Sequence, residues 1–104
     1  MYKLSHLAAK DFEQIFEYSL LSFGIEQADV YTDSMNDVLL TLAEQPFMGF
    51  ECTEIAEGLR RHDHNKHAIY YRTQPHNIYI VRNLHPQMEP LLHLHPSIYL
   101  DQFD

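Results

Sequence analysis

The chain has 104 residues, with seven Lys and Arg against fifteen Asp and Glu, a formal net charge of −8 with its eight His counted as neutral. About 100–200 residues make one domain, and so negative a domain is not a general nucleic-acid binder, whose affinity rests on neutralising phosphates. Apolar residues at 45% and aromatics at 12% argue against disorder.

Tyr2 to Ser5 alternates weakly and fits an edge strand. From Ala8 the period lengthens: Ala8, Phe12, Ile15, Phe16, Ser19, Leu20 and Phe23 form one helical stripe, while Asp11, Glu13, Gln14 and Glu17 fall outside it. Gly24 supplies the stop, since glycine accepts the left-handed conformation after a last turn. Ala28, Tyr31, Met35, Val38, Leu39 and Leu42 make a second stripe, ended by Pro46 and Gly49. The spacing predicts helices over 8–23 and 26–45, joined by two or three residues and packed antiparallel. Residues 46–58 read as an irregular connection. The period then becomes two: Leu59 to His64 is a short strand, His67 to Arg72 a second, Gln74-Pro75-His76-Asn77 a turn, and Ile78 to Arg82 a third. A strand, a helical hairpin and three further strands give an α+β fold with an antiparallel sheet. The expected layout is one domain over 1–90 and an apolar tail over 91–104.

The charge is unevenly placed. Residues 1–57 hold eleven acids against two bases, Lys3 and Lys10, whereas residues 58–85 hold five bases against one acid, Asp63. That asymmetry bears on partners rather than on fold. Cys52 is the one cysteine, which excludes an intrachain disulfide and fits a reducing cytosol. No apolar run reaches about 18 residues, so no membrane span is expected, and the first six residues lack the apolar core of a signal peptide.

Several local signatures now stand in order. They are Ala8-Ala9-Lys10-Asp11-Phe12-Glu13-Gln14-Ile15, Leu42-Ala43-Glu44-Gln45-Pro46, Gly58-Leu59-Arg60-Arg61, His67-Ala68-Ile69-Tyr70-Tyr71, Ile80-Val81-Arg82-Asn83-Leu84-His85 and Met88-Glu89. With this succession the chain resembles the ParE branch of the RelE/ParE toxin superfamily over about residues 2–89. The resemblance implies the toxin half of a type II toxin–antitoxin pair, cytoplasmic, neutralised by a ParD-like antitoxin of the ribbon-helix-helix type and directed at DNA gyrase. It implies no catalytic residues and no direct sequence-specific nucleic-acid binding. Asn83 departs from the pattern, standing where the family usually has an aliphatic residue, and Pro86 and Pro90 stiffen the segment around Met88-Glu89.

The sibling RelE-type toxins cut messenger RNA, which needs an acid, a base and cationic stabilisation of the transition state. Arg60, Arg61, Tyr71, Arg82 and His85 supply those residue types, but the net charge opposes ribosome binding, and Tyr71 and His85 read equally as buried sheet residues. A third reading is an inactive homologue kept as an antitoxin-binding module. The arginines suit a different task. Arg60 and Arg61 point to opposite sides of a strand, and one of them, with Arg72 or Arg82, is placed to bind carboxylates of an antitoxin segment. Asp33 and Asp37, with Asp29, form an acidic ladder on the second helix that suits basic residues of a partner. His62-x-His64 and His93-x-His95 have zinc-compatible spacing, but no carboxylate or cysteine completes a ligand set, so neither a metal nor another cofactor is expected.

Overall fold

A strand of three residues, β1 (Tyr2–Leu4), runs into Ser5, and Ser5 makes the first corner of the fold. Its extended backbone and side-chain oxygen cap α1 (His6–Phe23), with Oγ accepting from the Ala8 N–H at 2.9 Å. The same hydroxyl donates to the Val81 carbonyl at 2.7 Å, and the Ser5 N–H donates to the Ile80 carbonyl at 2.9 Å, so the cap also pins the corner to the last strand. Gly24 alone joins α1 to α2 (Ile25–Glu44), a shorter link than the two or three residues expected. Its N–H closes α1 on the Leu20 carbonyl while its own carbonyl accepts from Ala28. Its φ of +95° is positive as anticipated, but ψ of 173° puts it outside the left-handed helical region, in a conformation open essentially to glycine alone.

The computed structural model describes residues 1–85 and Leu94. The expectations attached to Pro86, Met88-Glu89, Pro90, His93, His95 and the tail 91–104 lie outside the described residues, Leu94 excepted. After α2 come β2 (Phe50–Glu51), β3 (Leu59–His64), β4 (His67–Thr73) and β5 (Ile78–Leu84). They form one five-stranded sheet in the order β1-β5-β4-β3-β2. The class is α+β as the sequence implied, with two differences. β1 pairs parallel with β5, Tyr2 opposite Ile78 and Leu4 opposite Ile80, so the sheet is mixed. The connection 46–58 contributes the two-residue strand β2, which pairs with Arg60 and Arg61 of β3. A pairing this short has no periodicity of its own to be read from sequence.

Both helices cover one face of the sheet. Ala8 of α1 and Met35, Leu39 and Leu42 of α2 pack on Ile69, Tyr71, Ile78 and Ile80. Burying each large aliphatic side chain contributes about 1.5–3 kcal/mol. The opposite face carries Leu59, Ala68, Tyr70, Val81 and Leu84, packed with Cys52 and Leu94. Within β5 the register slips: Tyr70 stands opposite Arg82 and Tyr71 opposite Ile80, leaving Val81 as the extra residue of a β-bulge.

The connection after α2 is held by two side chains of the sheet. The Tyr71 hydroxyl donates to the Pro46 carbonyl (2.8 Å) and accepts from the Gly49 N–H (2.9 Å). Arg60 donates to the carbonyls of Gly49 (3.0 Å) and Phe47 (3.2 Å). A Cβ at Gly49 would sit 2.5 Å from the Tyr71 hydroxyl oxygen, so only glycine lets the loop come this close.

Asp11 falls elsewhere than its charge suggested. It is 7% exposed, not on the solvent face of α1. Asp11 sits three residues after the buried Ala8 and four before Ile15, on the flank of the stripe that meets the sheet. Its carboxylate grips Arg82 in fork fashion, Oδ2 to Nε at 2.8 Å and Oδ1 to Nη2 at 2.9 Å, and Oδ2 also accepts from the Asn83 N–H at 3.0 Å. Beside it, the Asn83 side chain is buried, and among the described residues neither its amide oxygen nor its nitrogen has a partner.

Two outcomes follow in urea unfolding. Asp11→Ala or Arg82→Ala, which strands one buried charge, should each lower the unfolding free energy by about 3–5 kcal/mol, while the joint Asp11→Leu, Arg82→Met variant should lose less than either single change. Asn83→Leu, of similar volume and without the unsatisfied amide, should raise stability by about 1–2 kcal/mol.

Candidate functional site

The helical hairpin overhangs one end of the sheet and leaves a groove of about 1100 Å³. Gln14, Ile15, Tyr18 and Phe23 of α1 form one wall, Gln27 and Tyr31 of α2 another. The floor comes from the β3–β4 turn (Asn65 and Lys66), the start of β4 (His67) and the end of β5 (Asn83 and His85). The turn is tight because Asn65 takes a left-handed φ of +54°, which asparagine tolerates better than most residues. The Asp11–Arg82 pair lies at the inner end, where it ties the α1 wall to the floor.

Imidazoles line the contact between α2 and the sheet. The Tyr31 hydroxyl lies 3.1 Å from Nδ1 of His67, and the Ser34 hydroxyl 3.2 Å from Nε2 of His64. The His67 and His85 rings meet edge to face with centroids 5.6 Å apart. Burial pushes Tyr31 up to about 12, so its hydroxyl keeps its proton beside His67. Burial also pulls His67 below its ordinary value, with His85 and His64 adding to the effect and Asp11 opposing it. His64 is lowered by burial and then by His62. Among the described residues, no group of three or more His, Cys, Asp or Glu is placed to hold a metal ion.

The residues singled out in the sequence are dispersed. Arg60 stands opposite Tyr71 and Arg61 opposite Tyr70, so they do point to opposite faces. Arg60 is engaged with the connection after α2 and lies over the Phe47 ring. Arg61 pairs with Asp63 at 2.7 Å and lies over Phe50 and Tyr70, on the face away from the helices. Arg72, opposite Leu59, shares that face. Arg82 is turned inward, its guanidinium held in fork fashion by the buried Asp11 carboxylate, and does not face outward. Tyr71 is fully buried with its hydroxyl bonded inside the fold, which is the sheet-residue reading given above. His85 is half-buried in the groove floor, while Asp33 and Asp37 are exposed on the outer side of α2. Sequence reasoning missed the groove walls, Tyr18, Phe23 and Tyr31. The signal available was that the stripes of both helices continue to the hairpin tip, farther than a short sheet can cover.

A depressed folded-state value means that the unfolded chain binds more protons in the window below the ordinary imidazole value of about 6.5. The contribution of His64 and His67 is therefore complete above that value and is lost as the pH falls through their lower folded values. The urea midpoint should drop between about pH 7.5 and pH 5.5, and His67→Gln should flatten that dependence.

Comparison with known proteins places this geometry. The sequence model for the ParE toxin of type II toxin–antitoxin systems, parDE, matches residues 2–90. Toxin ParE1 of Caulobacter vibrioides is 33% identical over 93 residues, spanning 89% of this chain and 96% of that relative. Toxin ParE1 of Mycobacterium tuberculosis is 32% identical over 89 residues, spanning 85% of this chain and 91% of that relative. Among solved structures, one described as the chromosomal ParDE TA system from P. aeruginosa superposes with a TM-score of 0.67 at 19% identity, covering 81% of this chain and 92% of that one. At that identity the superposition speaks for the fold alone, and the fold agrees with the sequence matches. The match from residue 2 to residue 90 takes in every strand and helix among the described residues, and the chain belongs to the ParE toxin family of type II toxin–antitoxin systems.

Proposed function

We propose that this ParE-family toxin inhibits DNA gyrase by protein–protein contact, has no catalysis of its own, and is held inactive by a ParD-like antitoxin of the ribbon-helix-helix type. The observation that carries the non-catalytic reading is the use already made of the residues an RNA-cutting centre would need. Arg60 is bonded to two backbone carbonyls, Tyr71 to Pro46 and Gly49, and Arg82 to Asp11. An acid or base for phosphodiester cleavage must reach the reacting atoms. A fully buried Tyr71 and an inward Arg82 do not.

A partner of the antitoxin kind is supported by family membership and by the solved P. aeruginosa structure, which is of a ParDE system. For its docking we assign Arg61 and Arg72, on the sheet face away from the helices, to carboxylates of the antitoxin, and Asp33 and Asp37 to its basic residues. Action on gyrase and neutralisation by antitoxin both belong in the cytoplasm, and no helix among the described residues is long and apolar enough to cross a membrane.

The deciding experiment follows plasmid supercoiling by gyrase and the integrity of ribosome-bound messenger RNA with the same purified chain. The expected result is loss of supercoiling with broken DNA and intact RNA, reversed by adding the antitoxin. RNA cleavage with gyrase unaffected would transfer the assignment to the RelE-type reading, and no effect on either would favour the inactive antitoxin-binding module.

A further inference from the structure

The connection after α2 is held more firmly than a link between two elements requires. Between Pro46 and Gly49 the sheet fastens four backbone groups. The Tyr71 hydroxyl engages the Pro46 carbonyl and the Gly49 N–H, and Arg60 donates to the carbonyls of Phe47 and Gly49. What these bonds fix in place is a set of apolar side chains standing in solvent: Phe47 is 71% exposed, Met48 42% and Phe50 54%. A guanidinium backs each ring, Arg60 at 5.2 Å from the Phe47 centroid and Arg61 at 5.6 Å from that of Phe50. Aromatic residues, Met and Arg are the side chains enriched where proteins meet. Side chains already held in one arrangement lose little freedom when a partner arrives.

The same residues form an edge of the sheet. β2 ends the strand order, and among the described residues no strand lies beyond it. The Cys52 N–H donates to the Leu59 carbonyl at 2.8 Å, and backbone groups alternate in direction along an antiparallel strand, so those of Glu51 turn away from β3. Phe50, opposite Arg61, is on the face away from the helices, and Glu51, opposite Arg60, is on the helix-side face. A strand laid along this edge would set its side chains alternately beside Phe50 and beside Glu51. Charge selects the occupant. Residues 44–57 hold Glu44, Glu51, Glu54 and Glu57, all exposed, and no Lys or Arg. A second copy would bring the same acids together, and residues 86–104 hold acids with no Lys or Arg, so both carry the wrong sign. Nucleic acid is repelled for the same reason. We propose that the β2 edge accepts an extended segment of another protein in which apolar residues alternate with Lys or Arg, the apolar ones packing beside Phe50 and the basic ones facing Glu51. Strand addition of this kind takes affinity from main-chain hydrogen bonds and specificity from alternate side chains. The site shares no residue with the groove under the hairpin and does not depend on which target the toxin blocks.

The test uses the full chain and two synthetic peptides of about ten residues in which valine alternates with lysine in one and with glutamate in the other. Binding is followed by fluorescence anisotropy and located by amide chemical shifts and hydrogen exchange. The lysine peptide should bind at least about tenfold tighter, weaken as salt is raised, and shift signals within residues 47–54 and the facing part of β3. Exchange of the Glu51 amide should slow when it is bound, because its outward N–H gains an acceptor. Phe47→Ser with Phe50→Ser, both at exposed positions, should leave the chain folded and reduce binding about tenfold. Glu51→Lys with Glu54→Lys should turn the preference toward the glutamate peptide. Equal binding of the two peptides, shifts confined to another surface, an unchanged Glu51 exchange rate, or undiminished binding to the serine variant would overturn the assignment. So would a dimer of the chain alone, seen by sedimentation, that the serine variant dissolves.

Discussion

One carboxylate does the work of a missing strand. β1 stops at Leu4, so among the described residues the edge of β5 beyond Ile80 has no neighbour in the sheet. A backbone N–H left unpaired there would cost about 1–3 kcal/mol. Asp11 reaches down from α1 to accept the Asn83 N–H and clamps Arg82 with both oxygens. The contact ties α1 to the sheet, while α2 is held there directly by Met35, Leu39 and Leu42. The groove exists because the hairpin is anchored at its Asp11 end and stands clear of the sheet at its tip.

Arginine is distributed by the same economy. In a sheet this small, each guanidinium that lies over a strand is drawn into holding the chain together. Arg60 secures the connection after α2 from the helix-side face, Arg61 and Asp63 close a surface pair on the other, and Arg82 serves the interior. The positive stretch 58–85 is thus less available than its sequence suggests, and among the described residues the acids of the helices remain as the largest uncompensated charge.

Much of this was legible in the residues. The spacing of Ala28, Met35, Leu39 and Leu42 named the buried face of α2, and the β-branched and aromatic run from Ile78 to Val81 named a buried strand. The features that escaped share one physical origin: they are made by residues far apart in sequence. Asp11 and Arg82 are 71 positions apart, and an acid on a helix flank reads as solvated until its partner is known. The parallel pairing of β1 leaves no turn signature, because no hairpin connects it to β5. The groove draws its walls from two helices and its floor from three strand ends, so no single window of sequence contains it. The family signatures located the fold, and several of their polar residues proved to be the internal fastenings that make it.

The parallel junction of β1 with β5 also has a meaning in time. The hairpin of α1 and α2 and the ladder from β3 to β5 are built from near neighbours and can form as soon as their residues are made. Tyr2–Leu4, Ser5 and Asp11 wait for Ile78 to Asn83. Loop-closure entropy makes such distant pairing the slow event. During synthesis the beginning of the chain therefore stays unsecured until nearly all of the domain has been translated. A nascent or truncated chain would hold a helical hairpin without a floor beneath it, so the toxin becomes a finished surface only once β5 has been made.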